Sequence, residues 1–409
     1  MAAAANVDDF PLLQQRAAMH VSEENGIELN GPWVAGQDFS QILSTMTDLI
    51  EEQPRTMGYP RLADHDTNKL RLVNLNFSLV DQSVRESLEK LVMSRTWSRV
   101  HVVWCTGEIP TSFVRRTRRL EIFGGGPHWQ DSSRPLWEAL GETLLQSGSI
   151  CPLRVLRIRS RFNHESMRLL TSGLGSPDSP LEEAHFTCEF VDAGSALALA
   201  DGLSGNRRLL RLTFFGCEFY DEPTTEQILL SLRNHPTLNT LELQDNNCFA
   251  MPALASLVEA PTCPLKKLNL YYPAQITRGV QVPRLDAQSL SLSLRANNSL
   301  KHLIVASNAL DDDSAAWLAA ALKVNKTLEV LDLTGNAIGD KGIEALGAAL
   351  PHMKGVKELI LSNNDFGGRG ARALTEGMKT NVVCENIVTF NQFYACRQLE
   401  FYIHLNQAG

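Results

Sequence analysis

The chain has 409 residues, a formal net charge of −8 and 44% hydrophobic residues. That is enough apolar material for a large continuous core and too much for a disordered chain. It holds no apolar run of about eighteen residues, and Met1–Ala5 runs at once into Asp8 and Asp9, so neither a spanning helix nor a signal peptide is expected; the expected compartment is the cytoplasm, with the nucleus open.

Residues 1–69 carry no repeat. Within them Phe39, Ile42, Leu43, Met46, Leu49 and Ile50 fall on one helical face, with Asp38 placed to cap it and Pro54 beyond its end. The spacing predicts a helix that covers the exposed edge of the first strand. From residue 70 onward one pattern recurs. It is plainest in LKHLIVASNAL from Leu300, LEVLDLTGNAI from Leu328 and VKELILSNNDF from Val356, each reading L-x-x-L-x-L-x-x-N-x followed by an apolar residue. Helical spacing follows each copy, as with Ile343, Leu346 and Leu350. The same template lies on Leu70, Trp97, Thr117, Leu153, Leu181, Leu209, Leu238, Leu265 and Cys384, with most intervals between 27 and 29 residues. Each unit is then a strand, a turn and a helix that cannot bury its apolar face alone, so copies must stack.

The organisation expected is an N-terminal non-repeat segment with its capping helix over 1–69, a solenoid over 70–383, and a degenerate repeat and cap over 384–409 that contains Phe393, Tyr394, Leu399, Tyr402 and Ile403. Three units depart from the even spacing. The unit from Trp97 is too short for a full helix, and those from Thr117 and Leu265 carry extra residues directly after the strand, Gly124–Pro135 and Pro273–Pro283. Both insertions are expected on one rim.

This pattern and interval resemble the ribonuclease-inhibitor-like class of leucine-rich repeat proteins. The resemblance implies an α/β fold: a horseshoe-shaped solenoid with a parallel β-sheet on the concave side and mostly α-helices on the convex side. It also implies a protein-binding scaffold rather than an enzyme, without cofactor. Two alternatives come from proteins built on the same repeat: a GTPase-activating protein resembling the Ran GTPase activators, although the chain ends Asn406-Gln-Ala-Gly409 without an acidic tail, and the sensor arm of an immune-type receptor, although no nucleotide-binding domain precedes the repeats.

Within each strand the fourth and sixth repeat positions point inward and the third, fifth and seventh face solvent. The early units thereby display Arg99, Arg119, Phe123, Arg157, Arg159, His185, Arg211 and Phe215, with few acids among them, while the later units are mildly acidic. Arginine and aromatic residues are enriched where protein partners bind. The expected partner is therefore an acidic protein docked on this basic arm, with Trp129 in the first insertion hanging over the same rim as part of a flap. The competing reading is a solvated sheet surface whose charges pair along the ladder, Glu121 with Arg157 for instance.

The ninth repeat position is expected to form a ladder of side chains bonded to backbone, from Asn246, Asn308, Asn336 and Asn364, with Cys105 and Cys217 as small substitutes. The eight cysteines contain no C-x-x-C pair and read as reduced structural thiols, with no metal site. His101 and His185 stand three strands apart, about 14 Å on strand spacing, too far to share a proton or a metal. Asp311, Asp312 and Asp313 read as a solvated helix start. The run Arg115, Arg116, Arg118 and Arg119 is basic, yet the acidic total charge and the lack of a nucleic-acid motif argue against nucleic acid. No phosphate loop, dinucleotide fingerprint or metalloprotease motif occurs. A monomer is expected.

Overall fold

The structure is a computed structural model that describes residues 19–22, 26–30, 69–73, 82–93, 96–103, 105, 112–124, 134–145, 151–160, 162–188, 191–247, 250–272 and 285–390. It divides into two units, residues 1–189 with 205–208, and residues 190–204 with 209–409.

The first unit holds strands β1 (Met19–Ser22), β2 (Gly26–Asn30), β3 (Lys69–Val73), β4 (Arg99–Val103), β5 (Arg119–Phe123), β6 (Val155–Arg159) and β7 (Glu183–Thr187). Its helices are α1 (Gln82–Met93), the single turn α2 (Ser112–Arg115), α3 (Arg134–Leu145) and α4 (His164–Leu174). From β2 to β7 neighbouring strands pair parallel and in chain order. Sequential parallel pairing is what stacked strand–helix units require, because each covers its neighbour. The short unit from Trp97 has room only for α2, and Trp97 bridges to Thr117.

The edge of β3 is not covered in the way the sequence suggests. β1 and β2 form an antiparallel hairpin, and β2 lies parallel to β3 with Ile27 beside Leu70 and Leu29 beside Leu72. A strand satisfies the open N–H and C=O groups of an edge directly, which a helix cannot do. The signal was the alternation in His20-Val-Ser and Gly26-Ile-Glu-Leu, with only three residues between the two runs. The expected helix over residues 39–50 lies outside the described residues, as do 125–133 of the first insertion, all of the second, and Phe393, Tyr394, Leu399, Tyr402 and Ile403 of the C-terminal cap; Arg134 and Pro135 of the first insertion open α3.

The second unit holds β8 (Arg211–Phe215), β9 (Thr240–Gln244), β10 (Lys267–Asn269), β11 (His302–Ile304), β12 (Val330–Asp332), β13 (Glu358–Ile360) and β14 (Asn386–Val388), again parallel and in chain order. Its helices are α5 (Ala193–Gly205), α6 (Glu222–Ser231), α7 (Met251–Glu259), α8 (Ala287–Ala296), α9 (Asp312–Leu322), α10 (Asp340–Ala349) and α11 (Gly368–Met378).

In both units the core is the layer between strands and helices. Along β6, Leu156 and Ile158 are buried while Val155, Arg157 and Arg159 are not, which is the period-two alternation of a strand with one covered face. Trp97 and, on the inner face of α3, Trp137 are fully buried in the first unit, and Trp137 packs against Phe162 with ring centroids 5.0 Å apart. The helices approach so closely that a Cβ on Gly173 of α4 would lie 2.0 Å from the Gly141 carbonyl oxygen of α3. Among the described residues no helix is long and apolar enough to cross a membrane.

After β8, β9, β11, β12 and β13 the chain turns through a left-handed residue. Gly216, Asp245, Ser307, Gly335 and Asn363 all have positive φ, each one residue before Cys217, Asn246, Asn308, Asn336 and Asn364. The asparagines then bond to the backbone of neighbouring repeats. Asn336 Oδ1 accepts from the amides of Asn308 at 2.9 Å and Leu310 at 3.1 Å, and its Nδ2 donates to the carbonyls of Val305 and Leu333. Asn246 Oδ1 accepts from the Cys217 amide at 2.8 Å, Asn308 Nδ2 donates to the Leu270 carbonyl, and Asn364 Nδ2 donates to the Leu333 carbonyl. The thiols donate more weakly, Cys217 to the Phe215 carbonyl and Cys105, in the first unit, to the Leu72 carbonyl.

Candidate functional site

From β3 to β7 the open strand face of the first unit carries Lys69, Arg71, Arg99, Arg119, Arg157 and Arg159 against Glu121 and Glu183. Strand register decides which of them meet. Glu121 on β5 stands between His101 on β4 and Arg157 on β6, and Phe123 stands beside Arg159. Glu121 is only 4% exposed, and four side chains converge on it. Arg119 Nε approaches its carboxylate to 2.6 Å, His101 Nε2 to 2.8 Å, Arg99 Nε to 3.6 Å and Arg157 Nη1 to 3.9 Å. Burial pushes the Glu121 carboxyl pKa upward, but His101, Arg99 and Arg119 outweigh it and hold the value at about 2. Glu121 is thus a charged buried centre that was legible only as one residue of a pair.

Arg157 is held least well of the four. Its contact with Glu121 is the longest, and among the described residues its buried Nε finds no hydrogen-bond acceptor. Burial, with the nearby charges of Arg119 and Arg99, moves its pKa down, and Glu121 and Glu183 oppose this only in part. Arg159 is exposed on the same strand. His185 on β7 sits beside Arg157 in register and 3.4 Å from Glu183. The structure therefore gathers Arg99, Arg119 and Arg157 around one carboxylate and leaves Arg159 at the margin with Phe123. Trp129 lies outside the described residues.

Arg211 and Phe215 stand on β8 of the second unit, both exposed, Phe215 at 47%. The acids of this unit's strand face are engaged by neighbours: Glu242 accepts from Lys267 Nζ at 2.8 Å and from Gln244 at 3.1 Å, and Glu358 accepts from Asn386 at 3.1 Å. At the strand entrances Glu329 lies between Lys301 at 2.7 Å and Lys357 at 3.0 Å. Among the described residues no group of three His, Cys, Asp or Glu side chains is placed to hold a metal ion.

Two sets of side chains escaped the sequence reading. Asp312 is not simply solvated: its Oδ1 accepts the amides of Gly339 at 2.7 Å and Gly342 at 2.8 Å, which caps the next helix from the preceding repeat. Asp340 repeats this with Gly367 at 2.9 Å and Gly370 at 2.7 Å. A second row sits before the strands, where Asn297, Asn325 and Asn381 Oδ1 accept the amides of Leu300, Leu328 and Cys384, and His235 Nδ1 accepts that of Leu238. The signal was an N-x-x-L spacing ahead of the repeats from Leu209, Leu300 and Leu328.

A leucine-rich repeat family model matches residues 296–319, 324–347 and 355–374. With the strand–helix alternation and the parallel in-order pairing, that decides the architecture. The chain is an α/β leucine-rich repeat solenoid. Solved structures similar to this leucine-rich repeat protein include three at low identity. Leiomodin-1 actin-binding site 2 is 20% identical, with 39% of this chain and 87% of that chain covered and a TM-score of 0.31. The tropomodulin C-terminal domain of Caenorhabditis elegans is 13% identical, with 39% and 95% covered and a TM-score of 0.33. An internalin of Listeria monocytogenes is 15% identical, with 79% and 81% covered and a TM-score of 0.40. No curated protein sequence matches the chain.

Proposed function

We propose that this leucine-rich repeat protein is a non-enzymatic interaction scaffold of the ribonuclease-inhibitor-like class, monomeric and cytoplasmic, and that it binds an acidic protein partner on the open strand face. The observation that carries this reading is the charge on β3 to β7 of the first unit: six basic side chains against two glutamates on these five strands, in a chain whose net charge is −8. An excess of positive charge on one face of an acidic protein steers an acidic partner to that face. Part of the charge is spent internally on Glu121, so the docking contribution falls to Arg157 and Arg159, with Phe123 as the apolar contact beside them. Arg99 and Arg119 then act chiefly by keeping Glu121 ionised. The repeat class is supported by the interval of about 28 residues, which leaves room for an α-helix in each full-length unit.

The experiment is affinity capture with the purified chain, followed by quantitative binding of the captured partner to the wild type and to R157E/R159E. Loss of two charged contacts should weaken binding about a hundredfold, at about 1.4 kcal/mol per tenfold. If the double variant binds its partner as tightly as wild type while Tyr271→Ala or Glu358→Lys abolishes binding, the docking face lies in the second unit and the proposal is wrong.

A further inference from the structure

Arg157 and Arg159 are alternate residues of β6, so their side chains leave the same face about 6.6 Å apart along the strand. That is also the spacing of alternate side chains on one face of an extended peptide. Across the strands, register sets Glu121 and His185 on either side of Arg157, and Phe123 and Thr187 on either side of Arg159. One arginine is therefore flanked by polar, partly satisfied groups and the other by an aromatic ring and a hydroxyl. Neither guanidinium has a close carboxylate: Arg157 reaches Glu121 only at 3.9 Å, and no acid lies within ion-pair distance of Arg159 among the described residues. Arg157 also feels the repulsion of Arg119 and Arg99. An added carboxylate would relieve that repulsion and meet a planar fork suited to it.

We propose, building on the scaffold reading above, that the Arg157–Arg159 pair recognises a short acidic segment of a partner protein in extended conformation, with carboxylates on alternate residues. Carboxylate is the group this cluster already accepts, as the contacts of Arg119 and Arg99 with Glu121 show. The segment is short because the positive face is local. A long polyanion such as a nucleic acid would run past it onto a chain whose net charge is −8 and would be repelled there.

The test uses the full chain and three labelled probes at one ionic strength: a peptide in which Glu alternates with Ser, a peptide of the same composition with its Glu residues in one block, and a single-stranded oligonucleotide of matched charge. The alternating peptide should bind about tenfold more tightly than the block peptide, and both Arg157→Gln and Arg159→Gln should remove that preference. Should Arg157→Gln lower the melting temperature, the exposed Arg159→Gln carries the test alone. Equal binding of the two peptides, or a preference untouched by Arg159→Gln, overturns the inference, as does tighter binding of the oligonucleotide. Any of these results leaves the scaffold reading standing if R157E/R159E still loses the captured protein partner, so the two failures are distinguishable.

Discussion

Removing a carboxylate from water costs several kcal/mol unless cations meet it, and Glu121 is met by Arg119, His101, Arg99 and Arg157 within 3.9 Å. Its pKa in the fold, about 2, lies below the ordinary 4.5. Unfolding then takes up a proton as pH falls between these values. The stabilisation from Glu121 is present above about pH 4.5, is lost progressively as pH drops towards 2, and is gone below it. Glu121→Gln should therefore lower the urea midpoint at neutral pH by the equivalent of roughly 1–3 kcal/mol, a figure reduced for the partly solvated arginines. The gap to wild type should close at low pH; a gap of constant size would show that shape rather than charge matters there. Asn336 poses the neutral counterpart. Its amide serves two backbone N–H groups and one carbonyl of the preceding repeat and one carbonyl of its own, so Asn336→Ala should cost on the order of 1–3 kcal/mol. An unchanged unfolding midpoint would mean that water takes over those groups.

Between elements, the decisive contacts are those that cap one repeat from another. Asp312 at the start of α9 accepts amides at the start of α10, and the glycines there leave room for its carboxylate. A Cβ on Gly342 would lie 2.7 Å from Ile338 Cγ2, 2.8 Å from Asp312 Oδ1 and 2.9 Å from Asp312 Cα. In an exposed helix, alanine for glycine gains about 1 kcal/mol from backbone entropy. Here the clash involves backbone and outweighs that gain, so Gly342→Ala should destabilise by about 1–3 kcal/mol. Gly368, with nothing within 4 Å of its would-be Cβ, provides the comparison. Gly368→Ala should be neutral or slightly stabilising in the same thermal melt, and equal losses at both positions would refute the packing argument. The hairpin of β1 and β2 belongs to this scale too, since it supplies β3 with a partner strand that the repeat pattern does not contain.

For the molecule, what matters is how charge is distributed over repeats whose strands are otherwise alike. In the second unit Glu242, Glu329 and Glu358 each have a donor in a neighbouring strand or turn, while the first unit keeps an excess of arginine around a single buried carboxylate. Binding that depends on this excess should weaken as ionic strength rises, because exposed charges are screened beyond about 10 Å at 0.1 M salt. Titration of the partner at low and physiological salt should show a steep dependence for wild type and a shallower one for R157E/R159E. Parallel curves would place the electrostatic contribution elsewhere.

From Trp97 onward the period, the strand positions and the side of the strand on which each residue stands followed from sequence alone; the repeat from Leu70 was read three residues out of register, since Leu70 and Leu72 fill the inward fourth and sixth positions beside Val100 and Val102. Period and side depend on local alternation and a recurring length, as β6 illustrates with Leu156 and Ile158 covered and Arg157 and Arg159 not. A pattern of that kind survives even where a repeat is degenerate, and the short unit from Trp97 still forms its strand. Only the tertiary structure decided that four cationic or imidazole side chains share Glu121, that Asp312 caps a helix about one repeat away, that Asn297, Asn325 and Asn381 form a second row, and that a hairpin closes the first edge. Many of those contacts join neighbouring repeats, as Arg157 with Glu121 and Asp312 with Gly339 do, and their geometry is set by strand register and helix approach, which exist only once the repeats have stacked.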